Sequence, residues 1–527
     1  MQAPHAATAA APAPLRPWLP HTPLKRLRVY ASRSRVYVVG QQDDGNGGDV
    51  GNDGNDDSGN GSPESSSSAP RLFHVLKLAR QDPSEAASAG RPPRLEAVCT
   101  ERSRPLTREQ VERALRRAHE STPGGLALVA RAHAIVGCYR LTEGYSLLLV
   151  TRREYVGSLA GGHRVYRVAD TCSVPLTTTA AAAGGAGPGA GAGGGASSGV
   201  WAAWLGGGTG TGGAATAAAA AAAAGTSSSS SSSAAERRYR KLMAGVDLTR
   251  GFYFSYTYCL ARTMQRNHHV GSEKESSDND DEGDGRRWAD DDDEQDDTTP
   301  APYDVWSSMF TWNSHLTRPL RDCLRASSSS GLEAGGGWLL PLIHGWWEQR
   351  RLSLLGRPLS LTLLSRRSRH FAGTRYRKRG VSDAGHVANE VETEQVVEAD
   401  GADWAAGAMP LLSSVVQVRG SVPVFWTHAA ASAMAPKPDV VVQQFDPTYK
   451  ATHRHFARLL ARFGGGPVFA LDLLRSAERR PRETLLRVEH ARALEAVGAE
   501  LAREEEAGGR PRHHNPERLV VHVPWGE

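Results

Sequence analysis

Apolar and polar residues alternate along residues 27–40, within RLRVYASRSRVYVVG, and again along 71–79, RLFHVLKLA. A period of two predicts a strand pair followed by a third strand, an antiparallel β beginning. Thr107, followed by Gln110 three residues on, has the spacing of a capping box, and Val111 and Leu115 then repeat at helical distance. One short helix is expected there. Residues 134–151, AIVGCYRLTEGYSLLLVT, read as two strands joined at Glu143 and Gly144, with another strand at 163–168. The amino-terminal part is therefore expected to be mixed but mostly β.

Farther along, 237–265 carries a short helix and then the aromatic cluster Phe252, Tyr253, Phe254, Tyr256 and Tyr258, whose density suits a core better than a base-stacking surface. Residues 338–347 (WLLPLIHGWW) and 352–364 are apolar and strand-like, and 361–367 and 387–397 read as two strands around a long loop. At the carboxy-terminal end, PVFALDLL (467–474) reads as a buried strand and 483–504 as a helix with Leu486, Leu494, Val497 and Leu501 on one face. With a strand at 519–523 this makes a βαβ unit. The fold class is accordingly α+β passing into α/β.

A chain of 527 residues is too long for one core. Much of it is not core-forming: 41–70 is Gly, Asn, Asp and Ser, 174–234 is mostly Ala, Gly and Ser, and 271–300 is densely acidic. Such compositions cannot bury enough apolar surface to offset their ordering entropy, so three disordered inserts are expected. The net charge of +5 averages that acidic run against basic folded segments. Five scattered cysteines without a CxxC pair suit a reduced, cytosol-facing protein. No apolar run reaches the roughly 18–20 residues of a membrane-spanning helix.

The chemistry concentrates in 365–395, SRRSRHFAGTRYRKRGVSDAGHVANEVETEQ, whose first sixteen residues hold seven Arg or Lys and no carboxylate. Arg375, Arg377, Lys378 and Arg379 sit beside Gly373 and Gly380, where close backbone approach is permitted. Guanidinium forks suit phosphate oxygens, so a multiply phosphorylated ligand is one reading. Another is structural: a period of two puts Glu390, Glu392 and Glu394 on one strand face, where they can meet Arg366 or Arg369 across a hairpin. Phe371 and Tyr376 among the arginines also fit single-stranded nucleic acid.

Other signals are weaker. Gly208–Gly213 matches GxGxxG without a strand or helix around it, Asp278–Gly283 lacks a Glu at the twelfth position of a calcium loop, and His268–His269 and His513–His514 have no partners at ligand spacing. No metal or cofactor is expected. A cysteine nucleophile is also missing: no Cys has an Arg six residues later, the spacing of a phosphatase loop.

The segments AIVGCYRLTEGYSLLLVTRREYVGSLAGGHRVYRVADT (134–171), VDLTRGFYFSYTY (246–258), WNSHL (312–316), WLLPLIHG (338–345), VQVRGSVPVFW (416–426) and MAPKPDV (434–440), with the basic stretch, resemble the Sac-domain phosphoinositide phosphatases. RRSRHFAGTRYRKRG, VANEVETEQ and HVPWGE suit the polyphosphoinositide phosphatase branch, which removes the 5-phosphate of phosphatidylinositol 3,5-bisphosphate. The resemblance implies a β-rich Sac amino-terminal subdomain (24–173, after a disordered 1–23) and a catalytic α/β subdomain (235–527), separated by the insert 174–234. It implies a metal-independent Cys thiolate mechanism whose motif, RxNCxDCLDRTN, follows the PW element and is not in this chain. The given chain is thus expected to be incomplete and inactive alone, the alternative being an inactive Sac scaffold in a kinase–phosphatase complex. Arg375, Lys378, Arg379 and Arg419 are the expected headgroup contacts, and Asn389, Glu390 and Glu392 the braces. The implied partners are a phosphoinositide lipid, a peripheral membrane surface on endosomes or vacuoles, a phosphoinositide kinase and a scaffold protein, with no nucleic acid.

Overall fold

The computed structural model describes residues 23–42, 71–80, 105–142, 144–159, 162–178, 229–267, 305–327, 337–373, 378–399, 412–429, 439–443, 446–463, 467–507 and 519–525. The described residues divide into two compact units, one within 13–260 and 313–342, the other within 261–312 and 343–527. Segment 313–342 thus belongs with the amino-terminal unit although it follows part of the other in sequence.

In the first unit, β1 (Leu24–Ala31), β2 (Arg35–Gln42), β3 (Phe73–Ala79) and β4 (Ala127–Ala132) form an antiparallel sheet in the order β3-β2-β1-β4. Helix α1 (Arg108–Glu120) starts on the expected capping box: the Gln110 N–H donates to Thr107 Oγ1, and the Thr107 N–H donates to Gln110 Oε1. Strands β5 (Ala134–Arg140), β6 (Tyr145–Leu159), β7 (His163–Pro175) and β8 (Phe252–Ser255) follow each other in a second antiparallel arrangement. Helix α2 (Ser229–Ala244) precedes β8, and the aromatic cluster around β8 is buried, as its density suggested.

Helix α3 (Ser314–Ser327) lies on β5, where a Cβ on Gly137, at φ +148°, would come 2.5 Å from the Leu316 carbonyl oxygen. Just before α3, the fully buried Asn313 amide donates to the Val136 and Leu340 carbonyls and accepts from the Leu342 N–H. One side chain thus ties three segments, which accounts for the asparagine of the WNSHL segment.

In the second unit, β9 (Ile343–Leu354), β10 (Arg357–Arg367), β11 (Val391–Ala399) and β12 (Leu412–Arg419) run antiparallel in sequence order. The short pair β13 (Trp426–His428) and β14 (Val440–Val442), helix α4 (Lys450–Arg462), and β15 (Val468–Asp472), α5 (Glu483–Ala507) and β16 (Val520–Pro524) complete it. β15 and β16 pair in parallel, as a βαβ unit requires. The predicted helix face is buried: Leu486, Leu494, Val497 and Leu501 pack with Trp426, Phe456 and Leu460.

Three readings change. The strand predicted from 387 begins at Val391, and Val387 instead bridges Val381 within the loop. PVFALDLL is not buried on both sides, since Phe469 and Leu471 are exposed on one face. Residues 41–42, 174–178 and 229–234 at the edges of the first two low-complexity inserts are described, the first and last within β2 and α2; the rest of 41–70 and 174–234, and all of 271–300, lie outside the described residues.

Candidate functional site

The site is built where β10, β11 and β12 end together. Arg367, Val391 and Arg419 are in register across the three strands, so Arg419 stands at the same sheet edge as the loop joining β10 to β11. At that edge the alternating face of β11 turns Glu392 and Glu394 inward, and both are essentially fully buried. Arg366, with no solvent exposure, donates from Nη1 to Glu392 at 2.7 Å and from Nη2 to Glu394 and to the Arg262 carbonyl. Glu394 also accepts from the Met264 N–H and the Ser414 hydroxyl. The cross-strand pairing read from the sequence is therefore real for Arg366, and Arg369 is held instead through its N–H to the Met309 carbonyl.

Helix α4 supplies what the sequence reading missed. Arg454, Arg458 and Arg462 recur every fourth residue and so share one helix face. Arg454 donates to the Asp383 carbonyl at 2.8 Å, Arg458 donates to the Gly385 carbonyl at 2.5 Å and lies 3.4 Å from His386 Nε2, and Arg462 pairs with Glu392. The signal was present in KATHRHFARLLAR, an apolar helical pattern with a cation at each i, i+4 step. The loop approaches α4 closely: a Cβ on Gly385, at φ +83°, would lie 2.7 Å from the Arg454 Cβ.

The loop's second half is braced from the other side by the segment after β12. The Gly380 N–H donates to Ser421 Oγ, the Val381 N–H to the Val424 carbonyl, and the Ser421 N–H to the Ala388 carbonyl. On this frame Lys378 is exposed, its Nζ 4.3 Å from the Phe371 ring centroid, and half-buried Arg379 lies 5.6 Å from the Trp426 ring centroid. Arg419 is exposed. Arg375 lies outside the described residues.

Asn389 takes the left-handed conformation, φ +56°, that Asn tolerates better than most side chains. Its side-chain oxygen accepts from Arg367 Nη2, which also donates to the Gly373 carbonyl. Glu390 is buried, and burial raises its pKa against the lowering influence of Arg458 and Arg462. Among the expected braces, Asn389 and Glu392 thus have named partners, and Glu390 faces the α4 cations.

The local potential is cationic. His386 and His455 are both pushed down to about 3, first by burial and then by Arg458. The His370 and His386 rings stack 4.2 Å apart at 9°. Arg366 and Arg462 are matched by Glu392 and Glu394, so these two carboxylates are committed inside and do not neutralise Lys378, Arg379 or Arg419. Such an edge can hold an anion.

Burial pushes the Cys138 thiol up to about 12 and the Cys172 thiol up to about 11, whereas a phosphatase thiolate is depressed.

The SacI homology domain profile matches residues 133–513. The chain belongs to the SacI homology domain family. It is 34% identical over 475 residues to phosphatidylinositol-3-phosphatase SAC1 of Arabidopsis thaliana, covering 89% of this chain and 38% of that protein. It is 32% identical over 496 residues to phosphoinositide phosphatase SAC2 of the same plant, covering 93% of this chain and 45% of that one. The polyphosphoinositide phosphatase of Schizosaccharomyces pombe is 31% identical over 434 residues, 80% of this chain and 40% of the relative. The chain therefore spans less than half the length of these Sac-family relatives. No described helix of this Sac-family chain is long and apolar enough to cross a membrane.

Proposed function

We propose that the Sac-family protein represented by this chain hydrolyses a phosphate monoester of a phosphatidylinositol phosphate, the 5-phosphate of phosphatidylinositol 3,5-bisphosphate. The observation that carries the reading is the cationic edge. Lys378 and Arg419 face solvent and Arg379 is half-buried against Trp426, on a loop and strand end fixed by buried ion pairs, while Glu392 and Glu394 are already committed. Arg375 is assigned to the same headgroup contact. The role of this edge is positioning, with Asn389, Glu390 and Glu392 as its support.

The chemistry proposed is that of the Sac resemblance. A Cys thiolate attacks phosphorus, a P–S bond forms as the P–O bond to inositol breaks, and the inositol oxygen leaves as a hydroxyl after protonation. Water then cleaves the phosphocysteine to phosphate and free thiol. No Cys of this chain has the Arg six residues later that such a loop needs, so the chain alone is proposed to bind and position without turning over.

The place of action proposed is the cytosolic face of endosomal or vacuolar membranes, with the protein bound peripherally, in company with a phosphoinositide kinase and a scaffold protein. One relative is named for the 3-phosphate, so both positions belong in the test. Phosphate release from short-chain phosphatidylinositol 3,5-bisphosphate is measured for the purified chain and for the protein expressed from its own transcript, with product identification. Formation of the 3-phosphate lipid by the transcript-derived protein is expected. Removal of the 3-phosphate would overturn the isomer. Lipid binding with no release by that protein would favour an inactive scaffold.

A further inference from the structure

Asp472, His490 and His522 converge at the βαβ unit, away from the basic loop in sequence and unused by the chemistry above. Asp472 ends β15, His490 is on α5, and His522 is on β16, so each of the unit's three elements contributes one side chain. Asp472 Oδ2 lies 3.1 Å from His490 Nδ1 and 3.3 Å from His522 Nε2, and all three candidate ligand atoms fall within 4.8 Å of one another. The other carboxylate oxygen accepts from the Leu474 N–H at 2.8 Å, which fixes the carboxylate's orientation.

From this convergence we propose a binding site for a divalent transition-metal ion of the zinc class, with Asp472 Oδ2, His490 Nδ1 and His522 Nε2 as ligands. Zinc bonds of roughly 2.0–2.1 Å in a tetrahedron put ligand atoms about 3.3 Å apart, and the two Asp472–His separations are close to that edge. Two nitrogens and one oxygen select zinc or cobalt over magnesium or calcium, which take all-oxygen sites. The imidazole rings lie 5.8 Å apart at 68°, splayed rather than stacked. Asp472 and His490 are buried, while His522 is partly exposed, giving an entry path and a side for a water as fourth ligand. The Leu474 N–H supplies the outer contact that metal-ligating carboxylates typically have.

Direct hydrogen bonds from two imidazole N–H groups to one oxygen are the competing account of the same distances. A metal replaces both protons, and it clamps β15, α5 and β16 together, so binding adds to folding stability.

The test is metal titration of the purified chain after chelator treatment, with zinc followed by calorimetry and thermal melting, and cobalt by its visible absorption. One zinc per chain, a raised Tm and the intense bands of tetrahedral cobalt are expected. His522→Ala and the near-isosteric Asp472→Asn should each weaken binding at least about 100-fold, beyond the roughly 10–100-fold loss of an outer partner. A double change at His513 and His514 should leave binding intact. The proposal is overturned if binding is not saturable, if it survives both ligand variants, or if it is lost only with the His513 and His514 change. Because Asp472→Asn keeps the side-chain shape, its melting curve guards against a folding failure in His522→Ala.

Discussion

Arg462, from α4, shares the Glu392 carboxylate with Arg366, which reaches it from the adjacent strand. Two cations from different elements thus depend on one fully buried anion. Removing one member of such a set leaves the others uncompensated, which costs far more than the set contributes relative to an apolar core. Glu392→Ala should therefore lower stability by about 3–5 kcal/mol, measured by urea denaturation. Replacing Arg366, Glu392, Glu394 and Arg462 together with apolar residues should cost less than Glu392→Ala alone. A larger loss in the quadruple variant would contradict the account.

The β9–β10 turn carries an exposed Leu355 at φ +51° followed by Gly356 at φ +77°. A two-residue hairpin with both central residues left-handed favours Asn or Gly in the first place, and an ordinary side chain costs roughly 1–2 kcal/mol there. Leu355→Asn should raise stability by about 1 kcal/mol, read as a higher urea midpoint with unchanged slope. A lower midpoint would mean that Leu355 packs in solution.

His386 and His455 stay neutral in the folded chain down to about 3, because they are buried and face Arg458. Other groups acting on them are His370 and Arg369 for His386, and His490 for His455. Unfolded, each titrates near its ordinary 6.5. Between those values the unfolded chain binds protons that the native chain does not, so the contribution to stability is present above about 6.5 and lost as pH falls. Glu390 works in the opposite sense, since its pKa is raised. The urea midpoint should drop from pH 7 to pH 5, and His386→Gln with His455→Gln should flatten that drop. An unchanged slope would locate the acid sensitivity elsewhere.

Much of the fold was legible because local patterns agreed with tertiary need. The Thr107–Gln110 cap, the strands around Glu143 and Gly144, and the one-sided helix bearing Leu486 and Leu501 each follow from a short-range rule. The failures are non-local. Val387 has strand-like neighbours but is drawn into a bridge with Val381 by the intervening turn, in which the Gly385 N–H donates to the Ser382 carbonyl, and Phe469 is apolar yet faces outward. At the site, Glu392 and Glu394 were visible as a period-two face. The partner from α4 was not sought, because Arg462 lies seventy residues from Glu392. Asp472, His490 and His522 were invisible for the same reason: a βαβ unit joins residues that no spacing rule connects.

Binding of the purified chain to neutral vesicles containing phosphatidylinositol 3,5-bisphosphate is the most direct test of the cationic edge as a headgroup site. Lys378→Glu with Arg379→Glu should weaken that binding at least about tenfold, since a single charge-assisted hydrogen bond is worth roughly 1.5–3 kcal/mol. Arg479→Glu with Arg480→Glu, an equal charge change at exposed residues of the same unit, should have little effect. Equal losses in the two variants would reduce the loop to general basicity and contradict the account.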